Sequence, residues 1–195
     1  MPATSETYTI RQCAQDLIRH LDSHRGNMAE AEELAIPYMQ RLLARPDLPD
    51  LGVRREGNHT GDSLWLYYDH ELSIMLARMP KGVSIPVHNH GTWEVVGVYQ
   101  GEIKYTMYER ADDMSKPGYA DLTVVDDRVM GKSDVSVCPP PPHDVHGFTA
   151  LTDDLMIFAI VGGNFAPVRQ YYQPDQKAYI ERHQQEWRLG DQRPK

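Results

Sequence analysis

The spacing of apolar residues changes near residue 62, from a helical period to alternation. Upstream, apolar side chains recur every three or four residues, which predicts a first helix over 10–24. A second apolar stripe predicts a helix over 28–44, and Pro37 should kink or divide it, because proline cannot donate to the helical ladder. The stretch 46–62 is punctuated by proline and glycine and is expected to be a connector between the helices and the rest of the chain.

Downstream of the connector, short runs alternate between apolar and polar residues, with glycine and proline turns between them. This period is typical of β-strands that are buried on one face. Many short strands separated by such turns favour a closed or sandwiched all-β domain. The predicted strands cover residues 64–68, 73–79, 85–90, 94–100, 102–108, 122–129, 135–138, 155–161 and 169–172.

The pattern divides the chain into three parts within one domain. Residues 1–62 are interpreted as the helical segment with its connector, 63–173 as a β-barrel, and 174–195 as a peripheral C-terminal tail. Within the polar tail a helix over 175–188 is expected. A chain of 195 residues is large enough to bury a sizeable core as a single domain.

Composition narrows the choice of partners. A formal net charge of −8 and the lack of a basic run argue against nucleic acid and against anionic membrane surfaces. No apolar run approaches the roughly 20 residues that span a bilayer. Cys13 and Cys138 do not suggest a disulfide scaffold, so a cytoplasmic protein is expected. The expected partner is a small-molecule substrate. In solution the chain is expected to be a monomer or a homodimer.

The segment 82–101, GVSIPVHNHGTWEVVGVYQG, carries the clearest chemistry. In an extended strand, residues two apart point to the same face, so His88 and His90 converge on one site. Glu94 keeps the same parity and can reach that site as well. Two imidazoles and a carboxylate suit a divalent metal such as Fe, Mn, Ni, Cu or Zn.

This segment resembles the first motif of the cupins, since its Gly82, HxH, Glu94 and Gly101 fall at every fixed position. The resemblance implies an all-β fold, a cupin double-stranded β-helix or jelly-roll barrel, with the metal inside it and the N-terminal helices packed outside. Cupins also carry a second motif, in which a proline and a turn precede a metal histidine. In PPPPHDVHGF, His146 is the implied third ligand, and His143 is the implied entrance or outer residue.

A closer resemblance is to the bacterial cysteine dioxygenase and 3-mercaptopropionate dioxygenase family. It rests on HNHGTWEVVGVYQG and on DVHGFTALTDDLMIFAIVGGNFAPVRQYY. Membership would imply Fe(II), O2 and a small organic substrate. Three features depart from the family: Glu94 stands where these enzymes have no carboxylate, no arginine lies near residues 65–68, and the proton relay would fall on Ile157, Ala159 and Val161. Cysteine itself is therefore not the expected substrate.

Two roles are open for Glu94, as a fourth metal ligand or as a general base beside the metal. The residues expected to line a substrate pocket are Tyr67, Trp93, Tyr105, His143 and Phe158. The leading hypothesis is a mononuclear non-haem iron dioxygenase. The alternatives are a redox-silent cupin isomerase, lyase or hydrolase that uses Zn, Ni or Mn as Lewis acid, and a metal-binding cupin without turnover.

Overall fold

Two helices precede the β-structure in the computed structural model, which describes residues 7–24, 33–54, 62–163 and 165–183. Helix α1 spans Ile10–Ser23 and begins with a capping box, in which Thr9 and Gln12 satisfy each other's backbone N–H groups. Helix α2 spans Ile36–Leu43, with Pro37 in its first turn, where no intrahelical donor is needed. The expected division at Pro37 is thus observed, while residues 28–32 of the predicted second helix lie outside the described residues.

Strands make up most of the rest of the described chain. Short 3-10 turns at Leu48–Asp50 and Pro174–Gln176 precede β1 and β12. The strands are β1 Val53–Arg54, β2 Asp62–Tyr68, β3 Ser73–Met79, β4 Ser84–His88, β5 Glu94–Gln100, β6 Ile103–Arg110, β7 Leu122–Met130, β8 Val135–Cys138, β9 Val145–Ala150, β10 Leu155–Val161, β11 Val168–Gln173 and β12 Ala178–His183. No described helix is long and apolar enough to cross a membrane.

The strands form two six-stranded antiparallel sheets. One sheet has the order β1-β2-β3-β10-β5-β8 and the other the order β12-β11-β4-β9-β6-β7. From β3 to β6, and again from β7 to β11, each strand lies in the opposite sheet from the one before it. The chain therefore winds around a common axis as a double-stranded β-helix, and the jelly-roll cupin fold expected from the sequence is confirmed.

Side-chain parity separates two cores. On β10, Phe158 and Ile160 point to the outer face, where a helix-side cluster forms with α1 and α2 residues that include Leu17, Met39 and Leu42. The intervening residues of β10 point inward. There an inner cluster joins both sheets and contains Met79, Val96, Val98, Ile103, Tyr105, Met130, Phe148, Ala150, Leu155 and Ile157. The helices cover the outside of the barrel and leave its interior to the site.

Two elements differ from the sequence prediction. Strand β9 was not predicted, because the proline run before it and Gly147 within it hide its alternation. The helix expected over 175–188 is wrong for its described part: Lys177 adopts a left-handed conformation, and β12 then pairs along its whole length with β11. The antiparallel pairing outweighs the weak local helical preference of this polar segment. Residues 184–188 lie outside the described residues.

Candidate metal centre

Strands β4 and β9 bring the first two histidines together. His88 and His146 are direct antiparallel partners in this ladder, which is irregular between Ile85 and His88. His90 lies two residues further on, beyond the end of β4. All three side chains are buried, with residue exposures of 4% for His88, 2% for His90 and 1% for His146.

The three imidazoles converge through their Nε2 atoms. The Nε2 atoms of His88 and His90 are 2.8 Å apart, and those of His90 and His146 are 3.2 Å apart. All three side chains offer ligand atoms within 4.8 Å of one another, and they are the one such group among the described residues. The site is consistent with a divalent metal bound by three histidines.

Two of the rings are also hydrogen-bonded through Nδ1, on the side opposite to Nε2. Nδ1 of His88 lies 2.9 Å from the carbonyl oxygen of Pro86, and Nδ1 of His146 lies 2.8 Å from the hydroxyl of Tyr105. A proton on Nδ1 of His88 is donated to that carbonyl, which leaves the Nε2 lone pair free. Such outer hydrogen bonds fix the tautomer and the orientation of metal-binding histidines. Tyr105, expected from sequence to line a pocket, therefore contacts the site.

The electrostatic surroundings keep the imidazoles neutral. Burial, followed by the charge of Arg169, lowers the pKa of His146 to about 3. Burial is also the main cause that lowers the pKa of His88 and His90, with further contributions from the neighbouring histidines and from Arg169. Because metals bind the unprotonated ring, the site is in its binding form at neutral pH.

Glu94 reaches the same place from the other sheet. Its Oε2 lies 3.3 Å from Nδ1 of His90 and 3.6 Å from Nε2 of His146. The turn after His90 contains Gly91 with φ of 76°, and it carries the chain from β4 to β5 in the facing sheet. Glu94 thus stands beside the three histidines and is not a member of their close group.

Strand β11 adds two side chains that the sequence prediction missed. Tyr171 is the antiparallel partner of His88, and their rings stack at 5.9 Å. Arg169 lies two residues earlier on the same face, so it also points into the barrel, and its residue exposure is 6%. Its guanidinium lies 4.2 Å from the ring of Phe165, which in turn contacts the ring of His90 at 5.1 Å. The signal available in the sequence was their spacing, because residues two apart in a strand point to the same face.

An apolar wall continues from Phe165 along the inner face of the sheet that carries Glu94. Val161 is the direct partner of Glu94 across the β10–β5 ladder. The wall consists of Trp65, Met75, Ala159, Val161 and Phe165. Two of the three positions where the family resemblance places a proton relay, Ala159 and Val161, are therefore part of this apolar surface, and the third, Ile157, lies in the inner cluster.

The structure does not bring four other predicted pocket residues to the histidines, and the expected pocket is corrected accordingly. His143 is exposed and lies 3.5 Å from the equally exposed Glu109. Trp93 adjoins Glu94 in sequence, so the two point to opposite faces, and a side chain at Gly162 would collide with the Trp93 ring. The same outward parity places three aromatic residues in the helix-side cluster: Tyr67, Trp93 and Phe158.

Comparisons with known proteins found similarity among solved structures alone. No family model matches the chain, and no curated protein matches it. KdgF from Halomonas sp. is 16% identical with a TM-score of 0.43, over 57% of this chain and 88% of its own. An RmlC-like cupin from Shewanella frigidimarina is 20% identical with a TM-score of 0.43, over 58% and 86%. An RmlC-like cupin from Ralstonia eutropha is 19% identical with a TM-score of 0.42, over 63% and 66%. At these identities and TM-scores, no property of the three proteins is transferred to this chain.

Proposed function

We propose that this chain is a mononuclear non-haem iron(II) dioxygenase that oxidises a small organic acid with O2, in the manner of the cysteine-dioxygenase-like cupins. The observation that carries the proposal is the spacing of the three imidazoles. Nε2 atoms 2.8 and 3.2 Å apart can all reach one metal ion, and this set provides three protein ligands.

A six-coordinate iron held by three histidines would have three positions open. Open positions beside a facial set of protein ligands are typical of non-haem iron oxygenases, because substrate and O2 must both reach the metal. When bound, iron would supply the redox chemistry of O2 activation. His88, His90 and His146 would hold it, and burial of all three rings keeps bulk water away from the reaction.

Arg169 is the residue that recognises the substrate's anionic group. Its side chain is buried on the inner face of β11, and its guanidinium packs on Phe165, whose ring contacts that of His90, so it lies close to the metal position. A guanidinium binds a carboxylate through two parallel hydrogen bonds, which fixes both position and orientation. This arginine comes from β11 instead of the region around residues 65–68, where the family resemblance places it.

Glu94 is assigned as a general base and not as a permanent ligand. Its carboxylate lies near Nδ1 of His90 and Nε2 of His146 but outside the close group of three nitrogens. A carboxylate in that position can accept a proton from a substrate O–H or C–H. Because Ala159 and Val161 provide no relay for thiol chemistry, a substrate with such an acidic hydrogen is favoured over cysteine.

Metal analysis of the purified protein, together with O2 uptake on a panel of small thiols and organic acids, tests the proposal. We expect close to one iron per chain and O2 uptake with a non-thiol acid. Zinc or nickel without O2 uptake would overturn the dioxygenase proposal and favour a Lewis-acid isomerase, lyase or hydrolase. A bound acid that is never converted would favour a binding protein.

Glu94→Gln tests the role of the carboxylate. As a general base Glu94 should contribute about 10²–10⁴-fold to turnover, so the variant should keep its metal and lose kcat by such a factor. Glu109→Gln is the matched control, because Glu109 is exposed and lies beside the exposed His143 instead of the buried histidines. Loss of the metal from Glu94→Gln alone would show that Glu94 is a ligand.

A further inference from the structure

The position of His90 depends on contacts other than the β-ladder. His88 and His146 are held by the pairing of β4 with β9, but β4 ends at His88. The backbone N–H of His90 donates to Oδ2 of Asp144 at 2.9 Å, and that of Gly91 donates to the same oxygen at 2.6 Å. On the other side, the carbonyl of His90 accepts from the N–H of Ala166 at 2.8 Å.

Asp144 is itself fixed relative to the third histidine. It lies two residues before His146, directly ahead of β9, and its residue exposure is 2%. One buried carboxylate therefore connects the segment that carries His90 with the segment that carries His146. The Nε2 atoms that these two segments bring together are 3.2 Å apart.

We propose that Asp144 is a positioning residue that sets the metal affinity of the three-histidine site by holding His90 against His146. The proposal rests on the metal site of the proposed function. Without the carboxylate, two backbone N–H groups at the turn lose their acceptor, and such groups seek other partners. The turn then shifts, and His90 leaves the geometry in which its Nε2 can share a metal with the other two rings.

The test is the affinity of the purified, metal-free protein for Co(II), measured anaerobically in competition with a chromophoric chelator. Loss of outer-shell partners of metal ligands commonly weakens binding by about 10–100-fold, and Asp144→Ala should fall in that range. Asp144→Asn should bind within about threefold of wild type, because both hydrogen bonds end on one oxygen and an amide oxygen can accept both. Wild-type affinity in Asp144→Asn would show that Asp144 acts by accepting the two hydrogen bonds and not by its negative charge.

Asp112→Ala is the matched control for a general loss of stability. Asp112 accepts backbone N–H groups of Met114 at 3.1 Å and Asp121 at 3.0 Å, so it organises the loop after β6 as Asp144 organises the turn after β4. Both alanine variants should unfold at lower temperature than wild type, but only Asp144→Ala should lose Co(II) affinity.

The outcomes are distinguishable. Wild-type protein that binds no Co(II) would overturn the metal site itself and the proposal with it. Wild-type binding with unchanged affinity in folded Asp144→Ala would overturn the positioning role alone. If Asp144→Ala does not fold, Asp144→Ser replaces it, because the serine hydroxyl is tolerated in a polar turn but is too short to reach both N–H groups. Its affinity should fall likewise, and wild-type affinity would contradict the proposal.

Discussion

His146→Ala is expected to abolish stoichiometric metal binding and, with it, O2 uptake. His146 provides one of three Nε2 atoms in the close group, and its ring is held in place by the hydroxyl of Tyr105. Because loss of an outer-shell partner alone costs about 10–100-fold in affinity, loss of a ligand should cost more than about 100-fold. Metal content after loading and dialysis, and Co(II) affinity by chelator competition, measure the effect.

His143→Ala is the control for this substitution. It lies three residues earlier on the same proline-rich approach, but its side chain is 56% exposed and faces Glu109. Metal content, affinity and O2 uptake should all remain at the wild-type level. Retained metal in His146→Ala combined with lost metal in His143→Ala would reverse the assignment of the two histidines.

The three clustered histidines could be located from sequence because their signals are local. His88 and His90 share a strand face by their spacing alone, and the cupin resemblance indicated His146 although the strand that carries it was not predicted. Tyr105 was chosen because its strand was expected to neighbour a strand that carries a histidine ligand, and β6 does pair with β9. Chemistry that depends on neighbours within one strand was thus predictable.

The pocket was mispredicted because a residue on a strand next to the site can still point its side chain to the opposite face of the sheet. Phe158 was chosen because β10 adjoins the strand of Glu94, and that adjacency is observed. Its side chain, however, points to the helices, while its neighbour Ala159 points to the site. In a β-strand, successive side chains point to opposite faces of the sheet. An error of one position therefore assigns a residue of the helix-side core to the pocket.

Arg169 was missed for a different reason. Its segment was recognised as part of a family resemblance, but its proximity to the histidines arises from pairing between β11 and β4, which are far apart in the chain. Such long-range register is not encoded in any local pattern. The same holds for β12, whose strand conformation is set by its pairing with β11.

Arg169→Met is expected to raise KM for the substrate acid by at least about 30-fold while leaving iron content unchanged. Methionine keeps the unbranched apolar part of the side chain but removes the guanidinium, including its contact with Phe165. Truncating one partner of a buried, hydrogen-bonded charge pair costs roughly 2–5 kcal/mol, and the lower limit corresponds to this factor. The KM of Arg169→Lys should fall between those of wild type and Arg169→Met, because an ammonium keeps the charge but cannot form the two parallel hydrogen bonds of a guanidinium.

The control is Arg78→Met. Arg78 lies on β3, and its side chain is exposed, whereas that of Arg169 is buried. KM should not change in this variant. An equal rise in both variants would point to long-range charge and not to a binding contact.

The sharpest form of the Arg169 experiment compares the substrate acid with its neutral amide. If the guanidinium binds the carboxylate, wild type should prefer the acid strongly, and Arg169→Met should lose most of that preference because only the acid suffers from the substitution. A variant that loses activity toward both compounds equally, or loses its iron, would show that Arg169 supports the fold around His90 through Phe165 instead. The ratio of the two kcat/KM values therefore separates recognition from structure within one protein, independently of how much total activity remains.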